Sequence, residues 1–139
     1  MRTVKEIMSD RVYFIEGKQT VFEAARLMKM MGRGSLIVTE NNKPVGIITE
    51  RDFIRRIAAE KLPYDTPVSS VTSKPLITVE SSTPLNDAAM LMYTKRIRRL
   101  PIEEDGKIVG IVVATDFLRE MSKRSTSKRI WDSFWRRPI

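Results

Sequence analysis

The 139-residue chain contains no cysteine and no histidine. Without cysteine it has neither disulfides nor thiolate chemistry, and without histidine it lacks the commonest general base and the commonest metal ligand. No apolar run approaches the roughly 18 residues that a membrane-spanning helix needs, and the first residues, 1–6, contain no apolar signal region. These absences predict a cytoplasmic protein with no membrane span, no catalytic residues and no metal site.

Positive charge, a net +8 for the whole chain, is concentrated near the C-terminus. From Arg119 to Ile139, seven lysines and arginines stand against two acidic residues, which gives +5 there and leaves +3 for the rest. The segment 123–139 also holds both tryptophans, and its large apolar residues fall at helical spacing: Ile130, Trp131, Phe134 and Trp135. We predict a helical, basic and aromatic tail that packs back onto the protein or onto a second copy. Docking on an effector protein and binding of nucleic acid or an anionic membrane surface are the alternatives.

The rest of the sequence occurs twice, at an offset of 64 residues and without a gap, so that Val4–Ile57 aligns with Val68–Met121. Most matched positions are apolar or glycine, as two copies of one fold require. Such a repeat decides the architecture, and two copies are too few for a solenoid. We therefore predict two similar units, residues 1–62 and 63–122, followed by the tail, residues 123–139.

Each copy is predicted to run helix, strand, helix, strand, strand, helix, which is an α+β architecture. Thr20 and Glu23 form a capping-box pattern at a helix start, and Asp105–Gly106 predicts a type I′ hairpin. The first strands of the two copies are expected at residues 12–15 and 76–79. Between the copies, residues 61–67 contain two prolines and are predicted to be a linker.

A motif at the end of the third strand of each copy carries candidate chemistry. It spans Gly46–Asp52 in the first copy and Gly110–Asp116 in the second. A helix that starts there presents unpaired N–H groups and a positive dipole, which favour phosphate. The hydroxyl of Thr49 could donate to a phosphate oxygen. The aspartate one turn later could accept hydrogen bonds from two adjacent hydroxyls, as in a ribose diol.

Helix capping is the alternative explanation of this motif, because Thr49-x-x-Asp52 is close to a capping box. The second copy helps to distinguish helix capping from ligand binding. Val113 has no hydroxyl with which to cap, yet Asp116 is kept, which favours a ligand role for the carboxylate, although Thr115 could cap one residue further on.

The order of elements, the two copies and the motif Gly-apolar-x-Thr-x-x-Asp together resemble the CBS-domain family, in the tandem form called a Bateman module. The resemblance covers about residues 2–122 and includes the strand segment Ile97–Ile102. It implies an α+β sandwich in which the copies pack with pseudo-twofold symmetry and form two clefts that commonly bind adenosine derivatives. It also implies a homodimer, since two modules usually pair into a disc.

The resemblance further implies two unequal ligand sites. The first combines residues of both copies: Thr49, Asp52, Leu76, Ile77, Arg98, Arg99 and Pro101. The second, weaker site is formed by Val12, Tyr13, Ser35 and Asp116.

Within these sites the resemblance gives each residue a role. The two aspartates would hold ribose, and Leu76 and Ile77, or Val12 and Tyr13, would lie beside the base. Pro101 would close the first pocket. Thr49, Arg98 and Arg99 would contact phosphate, because guanidinium groups suit phosphate oxygens. A solvated strand edge, or pairing with an acidic neighbour such as Glu103, is the alternative for the two arginines. The second site lacks these cations, since Gly34 and Ser35 occupy the equivalent positions.

The sequence therefore predicts a non-catalytic regulatory module. It would require no cofactor, and its regulatory ligand would be AMP, ADP, ATP or S-adenosylmethionine. Because no enzyme or channel domain is attached, an unidentified effector protein would respond in trans. Nucleic-acid binding through the basic tail is the alternative. Catalysis is disfavoured because the chain has no histidine, cysteine, paired carboxylates or phosphate-binding loop.

Overall fold

Each copy of the repeat builds a three-stranded sheet with helices packed against it. The computed structural model describes residues 2–123, so the predicted tail helix and its tryptophans lie outside the described residues. Within that part, the chain divides into a first unit, Val12–Ile77, and a second unit, formed by residues 2–11 together with residues 78–123. The predicted α+β class and the order of elements are confirmed.

In the first unit, β1 (Phe14–Glu16) pairs in parallel with β2 (Ser35–Glu40), and β2 pairs antiparallel with β3 (Lys43–Thr49). Helix α1 (Val21–Met31) connects the parallel strands. Helix α2 (Glu50–Asp52) follows β3 and continues as a π-helix, Phe53–Ala58, and a 3₁₀ turn covers Val68–Ser70. The core of the unit is a cluster of buried apolar side chains: Ile15, Val21, Ala24, Met28, Leu36, Val38, Ile48, Ile57, Val68 and Val71.

The second unit repeats this order. A 3₁₀ turn, Val4–Glu6, is followed by β4 (Val79–Glu80), α3 (Leu85–Lys95), β5 (Arg99–Glu104), β6 (Lys107–Val113) and α4 (Ala114–Lys123). The strand order β4-β5-β6 and the parallel and antiparallel pairings match those of the first unit. In residues 2–123, no helix is both long and apolar enough to cross a membrane.

The β2–β3 and β5–β6 hairpins close through two-residue turns with positive φ at both central positions. The values are 52° and 63° at Asn41 and Asn42, and 52° and 76° at Asp105 and Gly106. This is the type I′ geometry, whose twist matches that of the flanking strands. The hairpin predicted at Asp105–Gly106 is therefore confirmed.

Helices α1 and α3 both end on a left-handed residue, but on different residue types. Gly32 has φ 62° and ψ 40°, whereas Arg96 has φ 55° and ψ 41°. A side chain in this conformation costs roughly 1–2 kcal/mol, and a cation near a helix C-terminus returns only about 0.3–1 kcal/mol. Glycine would therefore be the locally preferred residue at position 96.

At the start of α1, the predicted capping box is confirmed. The amide of Glu23 donates to the Thr20 hydroxyl at 3.1 Å, and the Glu23 carboxylate accepts from the Thr20 amide at 3.2 Å. Helix α3 begins at Leu85, because Pro84 takes the N-cap position in extended conformation.

The first strand of each copy is shorter than predicted and displaced toward the C-terminus. Strand β1 begins at Phe14 rather than at residue 12, and β4 begins at Val79 rather than at residue 76. The apolar residues ahead of each strand are only half-buried. The apolar residues therefore predict longer strands than the structure contains, because a strand needs a hydrogen-bonded neighbour as well as apolar side chains.

The segment predicted as a linker, residues 61–67, packs on the start of α1. The amides of Val21 and Phe22 donate to the carbonyls of Thr66 and Tyr64, at 2.9 and 3.2 Å. The rings of Phe22 and Tyr64 stack with centroids 6.2 Å apart. The linker is therefore an integral part of the first unit.

Each sheet is extended by a segment that precedes the first strand of the opposite copy. Ser73 exchanges two backbone hydrogen bonds with Ile47 of β3, at 3.1 and 3.2 Å, and Ser9 exchanges two with Ile111 of β6, both at 2.9 Å. The compact units are consequently divided after residues 11 and 77, whereas the sequence copies are divided near residue 62.

Side-chain pairs also hold residues 2–11 in the second unit. Arg2 pairs with the buried Glu120, and Lys5 pairs with Glu104 at 2.8 Å. The hydrogen bond and charge of Lys5 lower the pKa of Glu104, and those of Glu104 raise the pKa of Lys5. Because the second pair is solvent-exposed, screening keeps its effect on stability small.

Candidate functional site

Asp52 lies at the junction where β3 passes into α2, and only 7% of its surface is exposed. One carboxylate oxygen, Oδ2, accepts a hydrogen bond from the Thr49 amide at 2.9 Å and lies 3.3 Å from the Thr49 hydroxyl, which donates to it. The other oxygen, Oδ1, lies 3.5 Å from Nε of Arg56. These contacts belong to the capping box that is the alternative explanation of the motif, and the ligand roles predicted for Thr49 and Asp52 stay predictions.

The contacts of Asp52 leave acceptor capacity on Oδ1. An ionised carboxylate has about four acceptor positions, of which the Thr49 amide and hydroxyl occupy two. The guanidinium of Arg56 also donates to the Val71 carbonyl at 3.2 Å, so it is anchored elsewhere as well. Oδ1 can therefore accept from a ligand hydroxyl without disturbing the helix cap.

The second unit has the same junction with fewer polar groups. Oδ2 of Asp116 accepts from the Val113 amide at 2.8 Å, and Oδ1 pairs with Arg119 at 3.3 Å. Asp116 is half-buried, and no hydroxyl stands where Thr49 stands in the first unit. The two junctions are therefore unequal in the sense predicted from the sequence.

The hydrogen bond from the Val113 amide overturns one step of the sequence argument. From the sequence, Asp116 opposite a residue without a capping hydroxyl favours a ligand role. In the structure, Asp116 still makes the carboxylate half of the capping box, which needs only a backbone amide as donor. Helix capping alone thus explains Asp116, and a ligand role must rest on the second oxygen of each aspartate.

The helices that follow the two aspartates differ. After Asp52 the chain forms a π-helix, Phe53–Ala58, in which the Ala59 amide donates to the Ile54 carbonyl at 3.0 Å. After Asp116 the α-helix continues without interruption to Lys123. π-Helical turns are rare and are frequent at functional sites, so the first junction is the more unusual of the two.

Arg98 and Arg99 lie at the start of β5, beside the β6–α4 junction of their own unit. The carbonyl of Arg98 accepts from the Ala114 amide at 2.8 Å, and Arg99 is opposite Val113 in the strand register. Arg98 is exposed and Arg99 is half-buried. The predicted pairing of these arginines with Thr49 joins residues of different units, so it stays a prediction.

The residues predicted to line the base are half-buried: Val12, Tyr13, Leu76 and Ile77. All four belong to the first unit and precede the first strand of their copy. Ser35, also half-buried, is opposite Thr49 in the β2–β3 register. Pro101 is fully buried in the central strand β5, so its predicted role in closing a pocket gains no support.

Sequence reasoning missed two arginines that contact the aspartates. Arg56 follows Asp52 by four residues and Arg119 follows Asp116 by three, which are the spacings of neighbours on one helix face. That spacing was a usable signal. Each arginine makes one contact with the second carboxylate oxygen, so a ligand hydroxyl there would share that oxygen with the arginine.

A separate groove of about 620 Å³ lies between α1 and α2 of the first unit. Its lining is largely apolar, with Met28, Phe53 and Ile54 on its walls and Lys29 and Glu50 among its charged residues. The Nε atom of Arg33, which also lines the groove, is buried and has no hydrogen-bond partner among residues 2–123. Large apolar side chains are exposed on both helical segments: Phe22 and Met30 on α1, and Ile54, which lines the groove, on the π-helix.

Comparison with known proteins agrees with this fold. The family model described as CBS domain matches the chain twice, at residues 4–59 and 68–123. The CBS domain-containing protein YhcV of Bacillus subtilis (strain 168) is 37% identical over 131 residues, covering 94% of each chain. The crystal structure of an uncharacterized conserved protein from Pyrococcus horikoshii is 39% identical with a TM-score of 0.80, covering 88% of this chain and 93% of that one.

Two further solved structures are similar. A hexameric CBS-CP12 protein from bloom-forming cyanobacteria is 32% identical with a TM-score of 0.78, covering 85% of this chain and 70% of its own. The CBS domain pair of protein MJ0100, in complex with 5′-methylthioadenosine and S-adenosyl-L-methionine, is 24% identical with a TM-score of 0.79, covering 90% and 99%. At that identity the likeness to MJ0100 concerns the fold alone. With two family matches that together cover most of its length, the chain belongs to the CBS-domain family, as a tandem pair of CBS domains.

Proposed function

We propose that this tandem CBS pair is a non-catalytic regulatory module that binds an adenosine-type ligand. The proposal rests on the different contacts of the two carboxylate oxygens of Asp52. One of its oxygens caps the helix, while the other faces a single arginine at 3.5 Å and keeps acceptor capacity. Family membership supplies the ligand class, and the solved MJ0100 pair is an example of this fold holding two adenosine derivatives.

The chemistry of the junction suits a ribose. Two adjacent hydroxyls can both donate to a carboxylate, and such charge-assisted hydrogen bonds contribute about 1.5–3 kcal/mol each. The Thr49 hydroxyl, now donating to Asp52, can turn to donate to a phosphate oxygen instead. Among the described residues, no group of three or more histidine, cysteine or acidic side chains could hold a metal ion, so the proposal invokes none.

Regulation would follow from a population shift. A ligand that binds one conformation better than another raises the population of the first by its differential affinity. An effector protein that distinguishes the two conformations would then respond in trans. A role in sensing nucleotides places the protein in the cytoplasm, where these ligands are made and consumed.

A thermal-shift panel tests this proposal. Adenosine, AMP, ADP, ATP, S-adenosylmethionine and 5′-methylthioadenosine would each be added to the full-length protein, with guanosine compounds as matched controls. A ligand at a hundred times its Kd adds about 2.7 kcal/mol to stability, so at least one adenosine compound is expected to raise the Tm clearly. If no compound raises the Tm, or if guanosine compounds raise it equally, the proposal fails.

We further propose that the groove between α1 and α2 is covered by a second copy of the chain, giving a homodimer. Ile54, which lines the groove, is 67% exposed, and Phe22 and Met30 of α1 are 50% and 70% exposed. Exposed large apolar side chains of this kind are typical of interaction sites when they form a patch. The hexameric cyanobacterial relative is a case of self-assembly at 32% identity. Symmetric dimers are the commonest assemblies among soluble oligomers.

Light scattering checks this second prediction. At micromolar concentration the protein is expected to have twice the mass of one chain, and Ile54→Glu is expected to produce monomers because it places a charge in the groove. Lys43→Glu, an exposed change on the β2–β3 hairpin, serves as the control and should leave the dimer intact. A monomeric or hexameric natural protein, or a dimer that survives Ile54→Glu, would contradict the assignment.

The tail lies outside the described residues, and its predicted packing stays a prediction.

A further inference from the structure

Arg56 lies between two acceptors of the first unit. Its Nε atom is 3.5 Å from Oδ1 of Asp52, and its Nη1 atom donates to the Val71 carbonyl at 3.2 Å. At 3.5 Å the contact with Asp52 is an ion pair rather than a well-formed hydrogen bond. The Arg56 side chain is also 51% exposed, so no tight packing fixes the guanidinium in this position. The arginine can therefore leave Asp52 and keep Val71 as its partner.

The second copy shows that the fold does not require an arginine at this position. Glu120 is the equivalent of Arg56 at the 64-residue offset, and it is buried and paired with Arg2. The motif aspartate of that copy is paired instead with Arg119, three residues after it. In the first copy the equivalent of Arg119 is Arg55, which is exposed and forms no ion pair within residues 2–123. The contact that Arg56 makes is thus peculiar to the first copy.

The π-helix that follows Asp52 accounts for this difference. Its hydrogen bonds join each residue to the fifth one along, so its turns hold more residues than those of an α-helix. The segment Phe53–Ala58 has this form, whereas the chain after the aspartate of the second copy is α-helical. The wider turn favours the fourth following residue over the third as the neighbour of the aspartate. The π-helix therefore places Arg56, rather than Arg55, beside the carboxylate.

The acceptor positions of Asp52 limit how many ligand hydroxyls it can hold. Oδ2 accepts from the amide and from the hydroxyl of Thr49, at 2.9 and 3.3 Å. Because each carboxylate oxygen has about two acceptor positions, Oδ2 is filled and the free positions are those of Oδ1. Arg56 covers one of them and leaves the other for a ligand hydroxyl. A ligand with two adjacent hydroxyls can use both only when Arg56 has moved off Oδ1.

We propose that Arg56 is a displaceable counter-ion that controls the recognition of adjacent ligand hydroxyls by Asp52. With Arg56 on Oδ1, the carboxylate accepts from one ligand hydroxyl. With Arg56 held by the Val71 carbonyl alone, it accepts from two. This inference rests on the proposed binding of an adenosine-type ligand at Asp52. It makes Arg56 a specificity-determining residue, since the arginine sets how much the second ribose hydroxyl adds to affinity.

The Arg56→Met variant tests this inference, because methionine keeps an unbranched side chain but removes the charge and the donors. Arg55→Met is the matched control, since it removes the neighbouring exposed cation of the same π-helix. Titration calorimetry of the full-length proteins would use adenosine and 2′-deoxyadenosine, which lacks one of the two ribose hydroxyls. Neither compound has a phosphate, so the Thr49 hydroxyl can stay on Asp52. Thermal unfolding verifies the fold of each variant.

Arg56→Met is expected to bind adenosine about three- to fivefold more tightly than the natural protein, because the two hydroxyls no longer have to displace an exposed ion pair. The affinity for 2′-deoxyadenosine should stay the same, since its one hydroxyl uses the position that Arg56 leaves free. The ratio of the two affinities therefore rises by the same factor. Arg55→Met should match the natural protein for both compounds.

The ratio distinguishes specificity from a merely structural role, since loss of the Val71 contact alone would change both affinities by one factor. Such an equal change, an adenosine affinity that fails to rise, or an equal rise of the ratio in Arg55→Met overturns the inference and leaves the proposed function in place. If Arg56→Met lowers the Tm, Arg56→Gln keeps a donor for the Val71 carbonyl, and an unchanged ratio there is equally decisive against the inference. If the natural protein binds no adenosine, the inference fails, and the thermal-shift panel shows whether the proposed function fails with it.

Discussion

An Asp52→Asn variant is expected to bind the adenosine-type ligand roughly ten- to a hundredfold more weakly than the natural protein, because hydrogen bonds to a charged acceptor contribute about 1.5–3 kcal/mol. The change keeps the shape of the side chain. Its amide oxygen can still accept from the Thr49 amide, the contact that Asp52 makes at 2.9 Å. The helix cap should therefore survive, and the loss of affinity should report the loss of charge. Titration calorimetry measures the affinity, and thermal unfolding verifies the fold.

Asp116→Asn provides the matched control, because Asp116 makes the same cap in the second unit at 2.8 Å. We expect it to weaken binding less, since its junction has no hydroxyl equivalent to that of Thr49. The reverse order would mean that the tighter site is built on Asp116, which shares its unit with Arg98 and Arg99. If neither variant affects binding, capping is the whole role of both aspartates.

Much of this fold follows from local sequence signals that appear twice. Two-residue turns need left-handed residues, and Asp105–Gly106 meets that need. A threonine followed three residues later by a glutamate satisfies both amides of a helix start, as Thr20 and Glu23 do. Because each signal acts over three or four residues, the sequence alone predicts the elements and their order.

The pairing of the segments before β1 and β4 with the sheet of the opposite copy was not predictable in this way. Ser9 pairs with Ile111 across about a hundred positions of sequence, and Ser73 pairs with Ile47. Neither serine carries a local signal of strand pairing. The segment 61–67 shows the same limit, since its prolines indicate a break in helix but not the surface on which the chain then packs.

The contact between Thr49 and Asp52 was predictable as a capping box, whereas the ligand site predicted around it stays a prediction. The motif places Thr49 beside Asp52. It does not reveal that a carboxylate can keep its capping contact after the threonine is lost, because the donor that Asp116 uses is the Val113 backbone amide, which every residue except proline offers. Side-chain patterns therefore cannot distinguish helix capping from ligand binding at this junction. The distinction depends on what the second carboxylate oxygen of each aspartate contacts.

The glycine of the motif has a structural cause that leads to the second large expected effect. A Cβ on Gly46 would lie 2.5 Å from the Ser73 carbonyl oxygen and 2.5 Å from Cγ2 of Thr72. Those distances are far below van der Waals contact, so the Ser73 segment would have to move away from β3. The movement would strain or break the two backbone hydrogen bonds between Ser73 and Ile47, 3.1 and 3.2 Å in length. Gly110 has the same crowding against Met8 and Ser9.

Gly46→Ala is therefore expected to destabilise the protein by about 3–5 kcal/mol, combining roughly 1–3 kcal/mol of overpacking with about 1 kcal/mol for each of the two weakened hydrogen bonds. For a chain of this size, that loss lowers the Tm by roughly 10–15 °C. Thermal unfolding followed by circular dichroism measures this change in Tm.

The Gly32→Ala variant is the control that separates the effect of steric crowding from the effect of backbone conformation. Nothing lies within 4 Å of a Cβ at Gly32, but φ is 62° there, so its cost should be only the left-handed penalty of roughly 1–2 kcal/mol. A Gly32→Ala variant less stable than Gly46→Ala would show that close approach of the Ser73 segment does not explain the glycine of the motif.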